Sequence, residues 1–359
     1  MEKENSVKYT YPFMLKPTGK DYLWGGTRLN DDYGKGIDMT PLAESWECST
    51  HPDGPSYAAS GMHEGKSLAE ILKKYPEYLG THPRTKDQLP ILMKLIDAKD
   101  DLSVQVHPTD EYADKYENGQ LGKTEMWYII DAEPGAELIY GLSHKVDKES
   151  FRKAMEENLA AATDAEKGGA AAGTKFVNKY FQRVPVNKGD VFYIEAGTIH
   201  AIGKGILLAE VQESSNLTYR LYDYNRKDKN GSLRELHIDK ALDVSNLDAD
   251  DTPLQPMRVL RYKPGCAREM LCRCKYFEVY RMLINTPAME TKPGFVSYSS
   301  DETSFRVLMC TDGSGKISWE EETGEAVSMS YKAGDTIFIP ASSVELMLQG
   351  KAEFMDVRC

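Results

Sequence analysis

Two histidines, a glutamate and a glutamine carry most of the chemistry that this sequence offers. In LSVQVH, Ser103, Gln105 and His107 alternate with Leu102, Val104 and Val106, so a strand through them turns the polar three to one side and the apolar three to the other. Further along, Glu125 heads the strand-like run EMWYII and His200 ends the run GDVFYIEAGTIH. Two imidazoles, a carboxylate and an amide oxygen delivered by separate strands make a donor set for one divalent metal, with open positions for water. Each member alone has a plainer reading: a strand with its polar face in water, a surface histidine, a solvated strand end.

The elements that must position these residues are mainly β. Short runs rich in branched and aromatic residues (EMWYII, AELIYGL, DVFYI, GILLAEV, LTYRLYDY, YFEVYRMLI, SFRVLMC, TIFIPA) alternate with Gly, Pro and Asp turns, the pattern of an antiparallel sandwich or barrel. Two segments read as helices. One opens with the capping box Ser67 to Glu70 and closes before Pro76; the other covers about 147–162, where Phe151, Met155 and Leu159 recur every fourth residue. The Ala/Gly-rich stretch 163–174 reads as a surface loop.

Much of GDVFYIEAGTIH, 189–200, recurs as GDTIFIPASSVE, 334–345. A Gly-Asp turn leads into a strand and the chain turns again, so two related barrels are expected. The polar, proline-containing segment 247–256 makes a linker between a catalytic unit over 1–250 and a second unit over 256–359. The second copy has Glu345 where the first has His200, and no histidine follows His237, so the second unit is expected to lack a metal site.

With 359 residues, 41% of them hydrophobic, the chain is globular and long enough for two cores. No apolar run approaches the roughly 18 residues of a membrane span, and MEKENSVKYTYPF has no apolar signal region. The expectation is a cytoplasmic protein without a membrane partner, a monomer or weak homo-oligomer. The six cysteines are expected to be free thiols, Cys272 and Cys274 being too close for a CxxC pattern. A net charge of -12 argues against nucleic-acid binding, which needs a basic face; an anionic substrate must find a locally basic pocket.

The donor pattern resembles the cupin superfamily, with Gln105 in place of the first histidine of its His-x-His motif and Glu195 in place of a proline in its second motif. Longer strings are closer to one family within it. KDYLWGG, AESWECSTHPDG, LPILMKLIDAKDDLSVQVHPTDEYA, GKTEMWYI, AGTIHAIGKGILLAE, TYRLYDYNR and LRELHIDKAL all look like type I mannose-6-phosphate isomerase in its short bacterial form, in order from about Tyr11 to Val244. The resemblance implies a mainly β fold of jelly-roll-like cupin barrels, one catalytic and one degenerate, with a few helices. It also implies an isomerase of mannose 6-phosphate and fructose 6-phosphate. It places Gln105, His107, Glu125 and His200 on the metal-ligand positions, with zinc as the metal, and Arg220 on the active-site arginine. Lys123 falls on a lysine tied to proton transfer, and Lys94 and Ser103 on positions near the sugar phosphate.

That chemistry suits the residues. An aldose and a ketose interconvert by loss of the proton alpha to a carbonyl, through a cis-enediolate whose charge must be held. One carboxylate with three neutral donors leaves a divalent site formally positive, which favours an enediolate. Arg220 and the lysines give a phosphate dianion charge-assisted partners. To act as base, Lys123 must lose its charge through desolvation or neighbouring cations; Glu210, inward by alternation with Ile206 and Leu208, is the second candidate for moving protons. Two other functions fit a cupin barrel: an Fe(II) oxygenase, and a sugar-phosphate-binding protein without catalysis. Gln105 and the basic set speak against the first, and the complete ligand set with Arg220 against the second. Histidines 51, 63, 82, 144 and 237 are expected in surface or capping roles.

Overall fold

A computed structural model describes residues 10–163, 169–227, 231–249, 253 and 255–359. Every strand-like run named above forms a strand, and the strands assemble into three antiparallel sheets. Two of them build the first barrel. One runs in the order Val191–Ile194, Glu125–Ala132, Ile206–Glu213, Ile91–Ala98, Glu44–Cys48, Thr18–Lys20. The other runs Tyr219–Tyr222, Val104–Val106, His200–Ala201, Glu137–Leu142, Phe181–Pro185. The third sheet has ten strands, most of them from the C-terminal half.

Alternation along the strands decides which face meets which layer. Ile96, Trp127, Ile129, Phe192 and Leu208 point into the first barrel against Leu138 and Val184. Their neighbours Met93, Leu95, Met126, Tyr128 and Val211 point out and pack on Val307, Met309, Met355 and Val357 of the ten-stranded sheet. On the other side, Val104, Val106 and Ile139 pack against helical residues Phe151, Phe176 and Leu242. The layers are thus helices, five-stranded sheet, six-stranded sheet and ten-stranded sheet.

The division at 247–256 is crossed at the N-terminus. Strand Phe13–Lys16 pairs with Thr336–Ile339 of the C-terminal half, and the buried Lys35 ammonium pairs with Glu47, whose other oxygen accepts from Thr336 Oγ1 at 2.8 Å. Residues 250–252 and 254 of the linker lie outside the described residues.

The helix at Leu68–Lys74 has both hydrogen bonds of its capping box, and the second helix spans Lys148–Thr163. The expected loop over 163–174 is corrected: Gly169–Tyr180 is a helix, and 164–168 lie outside the described residues. Alanine is the best helix former, and Phe176 and Val177 anchor this helix on Phe151 and Phe181. Gly173, which reads as a loop signal, serves close approach instead: a Cβ there would fall 1.8 Å from the Tyr222 hydroxyl.

Both copies of the repeated stretch make the same turn–strand–turn. Gly189 and Gly334 take φ of +89° and +93°, and the turns after the strands place Gly197 at +95° and its counterpart Ser342 at +56°. Gly197 N donates to His107 O, whereas Ser342 N donates to Asp301 O. Asp301 therefore occupies in the second copy the backbone position of His107 in the first.

Candidate metal centre

Three strands bring the expected ligands together, and a fourth brings Arg220 beside them. His200 pairs with Gln105 across one sheet, and Gln105 pairs with Arg220 on its other side. Glu125 comes from the facing sheet. The ligand atoms of His107, Glu125 and His200 all lie within 4.8 Å of one another, and all three residues are buried. The alternation read from LSVQVH holds from Ser103 to His107; Leu102, outside the strand, turns to the pocket instead.

The hydrogen bonds around the imidazoles fix which nitrogen is available. His107 Nδ1 lies 2.8 Å from Leu217 O, and His200 Nδ1 lies 2.8 Å from Thr198 O. A carbonyl only accepts, so each Nδ1 carries the proton and each Nε2 presents a lone pair. Those lone pairs face carboxylate oxygens: His200 Nε2 is 3.2 Å from Glu125 Oε1, and His107 Nε2 is 3.6 Å from Oε2. Gln105 adds its amide, 3.4 Å from His200 Nε2. Acceptors so arranged repel unless a cation lies among them. Here the Lys123 ammonium serves that need, 2.6 Å from Glu125 Oε2 and 3.0 Å from His107 Nε2.

The acid–base balance carries the same message. Burial, together with the nearby Glu210, pushes Glu125 up to about 7 against the pull of Lys123. Burial likewise takes His200 down to about 3 and His107 well below the ordinary histidine value, with Lys123 adding to both. Two neutral imidazoles and one carboxylate short of positive charge fit a divalent ion, and the backbone bonds at both Nδ1 atoms are the outer contacts that hold ligating histidines in place.

A pocket of about 260 Å³ opens beside this cluster, and its walls include Ser103, Gln105, Lys94, Lys123, Glu210 and Arg220. Lys94, Glu210 and Trp127 sit in one row across three adjacent strands. Glu210 receives Lys94 Nζ at 3.0 Å on Oε1 and the Trp127 indole N–H at 2.9 Å on Oε2. Burial works to raise the carboxyl, but Lys94 and Lys123 outweigh it and hold Glu210 down to about 2. Burial also acts to neutralise Lys94, yet Glu210 and Glu44 keep it above the ordinary lysine range.

Arg220, half-buried, differs from the buried cations Lys94 and Lys123. Its Nη1 donates to Glu235 O at 3.1 Å, its buried Nε has no partner, and among the described residues no carboxylate lies within ion-pairing distance. Burial and the neighbouring Arg234 both lower its proton affinity. A guanidinium held without a counter-ion in a pocket wall is a ready anion receptor.

Some pocket residues escape sequence reasoning. Glu44, whose Oε2 accepts from the Trp46 indole N–H at 2.7 Å, and Arg234 both line the pocket. They lie in AESWECSTHPDG and LRELHIDKAL, strings that match the family, but nothing in the local pattern marks either one. One histidine departs from expectation: His63 is buried, 3.1 Å from the Tyr78 hydroxyl. His237 stands at the N-cap of helix Ile238–Val244, and its Nδ1 accepts from Arg220 N at 3.2 Å.

Comparison with known proteins agrees with this geometry. Residues 13–167 match the family model described as phosphomannose isomerase type I, catalytic domain. The chain is 36% identical over 346 residues to mannose-6-phosphate isomerase ManA of Bacillus subtilis, covering 96% of this chain and 98% of that one. Identity to the mannose-6-phosphate isomerase of Streptococcus mutans is 37% over 274 residues, 76% of this chain and 79% of the relative. A crystal structure of the Bacillus subtilis mannose 6-phosphate isomerase superposes with a TM-score of 0.81 at 32% identity, covering 96% and 99% of the two chains. A zinc-bound mannose 6-phosphate isomerase shares the fold at 16% identity, with a TM-score of 0.71 over 96% and 98%.

Proposed function

The chain belongs to the type I mannose-6-phosphate isomerase family, and from that premise we propose how its residues perform the reaction. It is a metal-dependent isomerase that interconverts mannose 6-phosphate and fructose 6-phosphate through a cis-enediolate. The observation that carries this reading is the convergence of His107, Glu125 and His200 lone pairs beside a pocket walled by Arg220, Lys94, Lys123 and Glu210.

Gln105, His107, Glu125 and His200 hold the metal, for which zinc suits two imidazoles and a carboxylate. When bound, the metal supplies Lewis-acid stabilisation of the substrate's carbonyl and enediolate oxygens. Arg220, free of a carboxylate partner among the described residues, anchors the phosphate dianion, with Ser103 on the same wall. Glu210 is an ionised carboxylate at neutral pH and accepts the proton alpha to the carbonyl, while Lys94 holds it in place. Lys123 carries the proton exchanged with the sugar oxygens. The barrel walls Trp24, Ile96, Leu102 and Ile202 limit water around the enediolate.

Chelation abolishes conversion in a coupled assay with mannose 6-phosphate, and added zinc restores it. Oxygen consumption in place of isomerisation would replace this reading with the oxygenase one. For the proton carrier, Glu210→Gln stops exchange of the substrate's C2 proton with solvent deuterium; persistent exchange moves that role to Lys123.

A further inference from the structure

The register of the repeat assigns each pocket residue of the first barrel a counterpart in the second. Ile194 pairs with Glu125, and its repeat partner Ile339 pairs with Arg306. Glu210 lies opposite Trp127, two residues beyond Glu125; Asp356 lies opposite Leu308, two residues beyond Arg306. Lys94 pairs with Glu210, as Tyr280 pairs with Asp356. One strand further, Glu44 corresponds to Arg268. Arginines thus stand at the places of the metal-binding glutamate and of the pocket glutamate Glu44.

These counterparts are not filled in by core packing. A cavity of about 680 Å³ opens here, lined by Arg268, Tyr280 and Tyr298, with Met257, Met270, Met282 and Val296 as apolar walls. Behind it Asp356, fully buried, lies 2.6 Å from Arg268 Nη2 and 3.3 Å from Arg306 Nη1. The Arg268 guanidinium stacks on Tyr280 at 3.7 Å. Two arginines on one carboxylate leave one positive charge in excess, and Arg261 and Lys263 add to it at the rim. The buried Arg268 Nε makes no hydrogen bond among the described residues. A buried donor without a partner is costly, and a ligand anion would satisfy it.

We propose that the second barrel keeps its pocket as a binding site for a small organic monoanion with an apolar body, held by Arg268 in front of Arg306 and Asp356. Where the first barrel needs a metal to hold a negative charge, the second has built the cation into the chain. The apolar walls favour an anion with an apolar body, a carboxylate, over a phosphate dianion.

The test uses para-fluorobenzoate with the zinc-loaded full-length protein, followed by fluorine NMR. Saturable binding at one site is expected, retained in Arg220→Ala and weakened about tenfold or more in Arg268→Met. Met270→Glu, a change at a partly exposed wall position, is expected to do the same by placing a negative charge on the wall that Arg268 shares; its unfolding midpoint serves as the check on folding. Mannose 6-phosphate turnover at saturating substrate stays within about twofold of the parent in both variants. No binding to the parent protein, binding lost in Arg220→Ala, or binding unchanged in Met270→Glu would each overturn the proposal.

Discussion

Lys94 is a buried cation and Arg220 a half-buried one in the same pocket, but among the described residues only Lys94 has carboxylates within ion-pairing distance, so their removal should have different consequences. Arg220→Ala leaves no carboxylate orphaned; the expected outcome is a folded, metal-loaded protein whose kcat/KM falls about a hundredfold or more. Turnover near that of the parent, measured with metal content and circular dichroism on the same sample, would remove Arg220 from the chemistry. Lys94→Met strands Glu210 beside Glu125 in a site from which solvent is nearly excluded. Denaturant titration should register a loss of about 3 kcal/mol, and the double variant Lys94→Met/Glu210→Gln should recover part of it. At this scale the shared face of Ser103, Gln105 and His107 was legible in the sequence, because the strand period fixes which side chains lie together. Arg234 and Glu44 were not, because a charged residue in a short strand or loop carries no sign of the cavity it will line.

At the scale of elements, the turn Gly61–His63 is pinned between strand Phe13–Lys16 and the turn Pro76–Leu79 by one imidazole. His63 packs edge-on to Phe13 at 5.5 Å and lies 3.1 Å from the Tyr78 hydroxyl. Burial, with Lys66 and Lys74 nearby, lowers its proton affinity below the ordinary value. The neutral form is the one the fold favours, so its contribution is complete above the unfolded histidine value of about 6.5 and is lost as pH falls below it. Between about pH 7.5 and about pH 5.5, His63→Phe should therefore lose less stability than the parent protein, read from urea unfolding at each pH; equal losses would clear His63 of the effect. Helix Leu68–Lys74 was readable because its cap is a local hydrogen-bond pattern. Helix Gly169–Tyr180 was not, because its glycine signalled a loop while its stability comes from aromatic contacts to distant segments.

For the whole molecule, the largest core cluster is shared between the two halves: Met93, Leu95 and Tyr128 pack with Val307, Met309, Met355 and Val357. Strand Phe13–Lys16 adds a hydrogen-bonded tie to Thr336–Ile339. Cutting at the linker would expose that cluster, so residues 1–250 alone are expected to aggregate or bind a hydrophobic dye, and the full chain to unfold in one calorimetric transition. Two well-separated transitions, with a folded fragment, would make the halves independent. The sequence by itself determined the β class, the repeat and the candidate cluster of His107, Glu125 and His200, since strand alternation, turn glycines and residue type are local properties. Only the tertiary structure decided that the halves share a core, that Arg220 has no carboxylate within ion-pairing distance among the described residues, and that Arg306 occupies in one barrel the place of Glu125 in the other. Those facts rest on pairing between strands far apart in the chain, which local patterning does not encode.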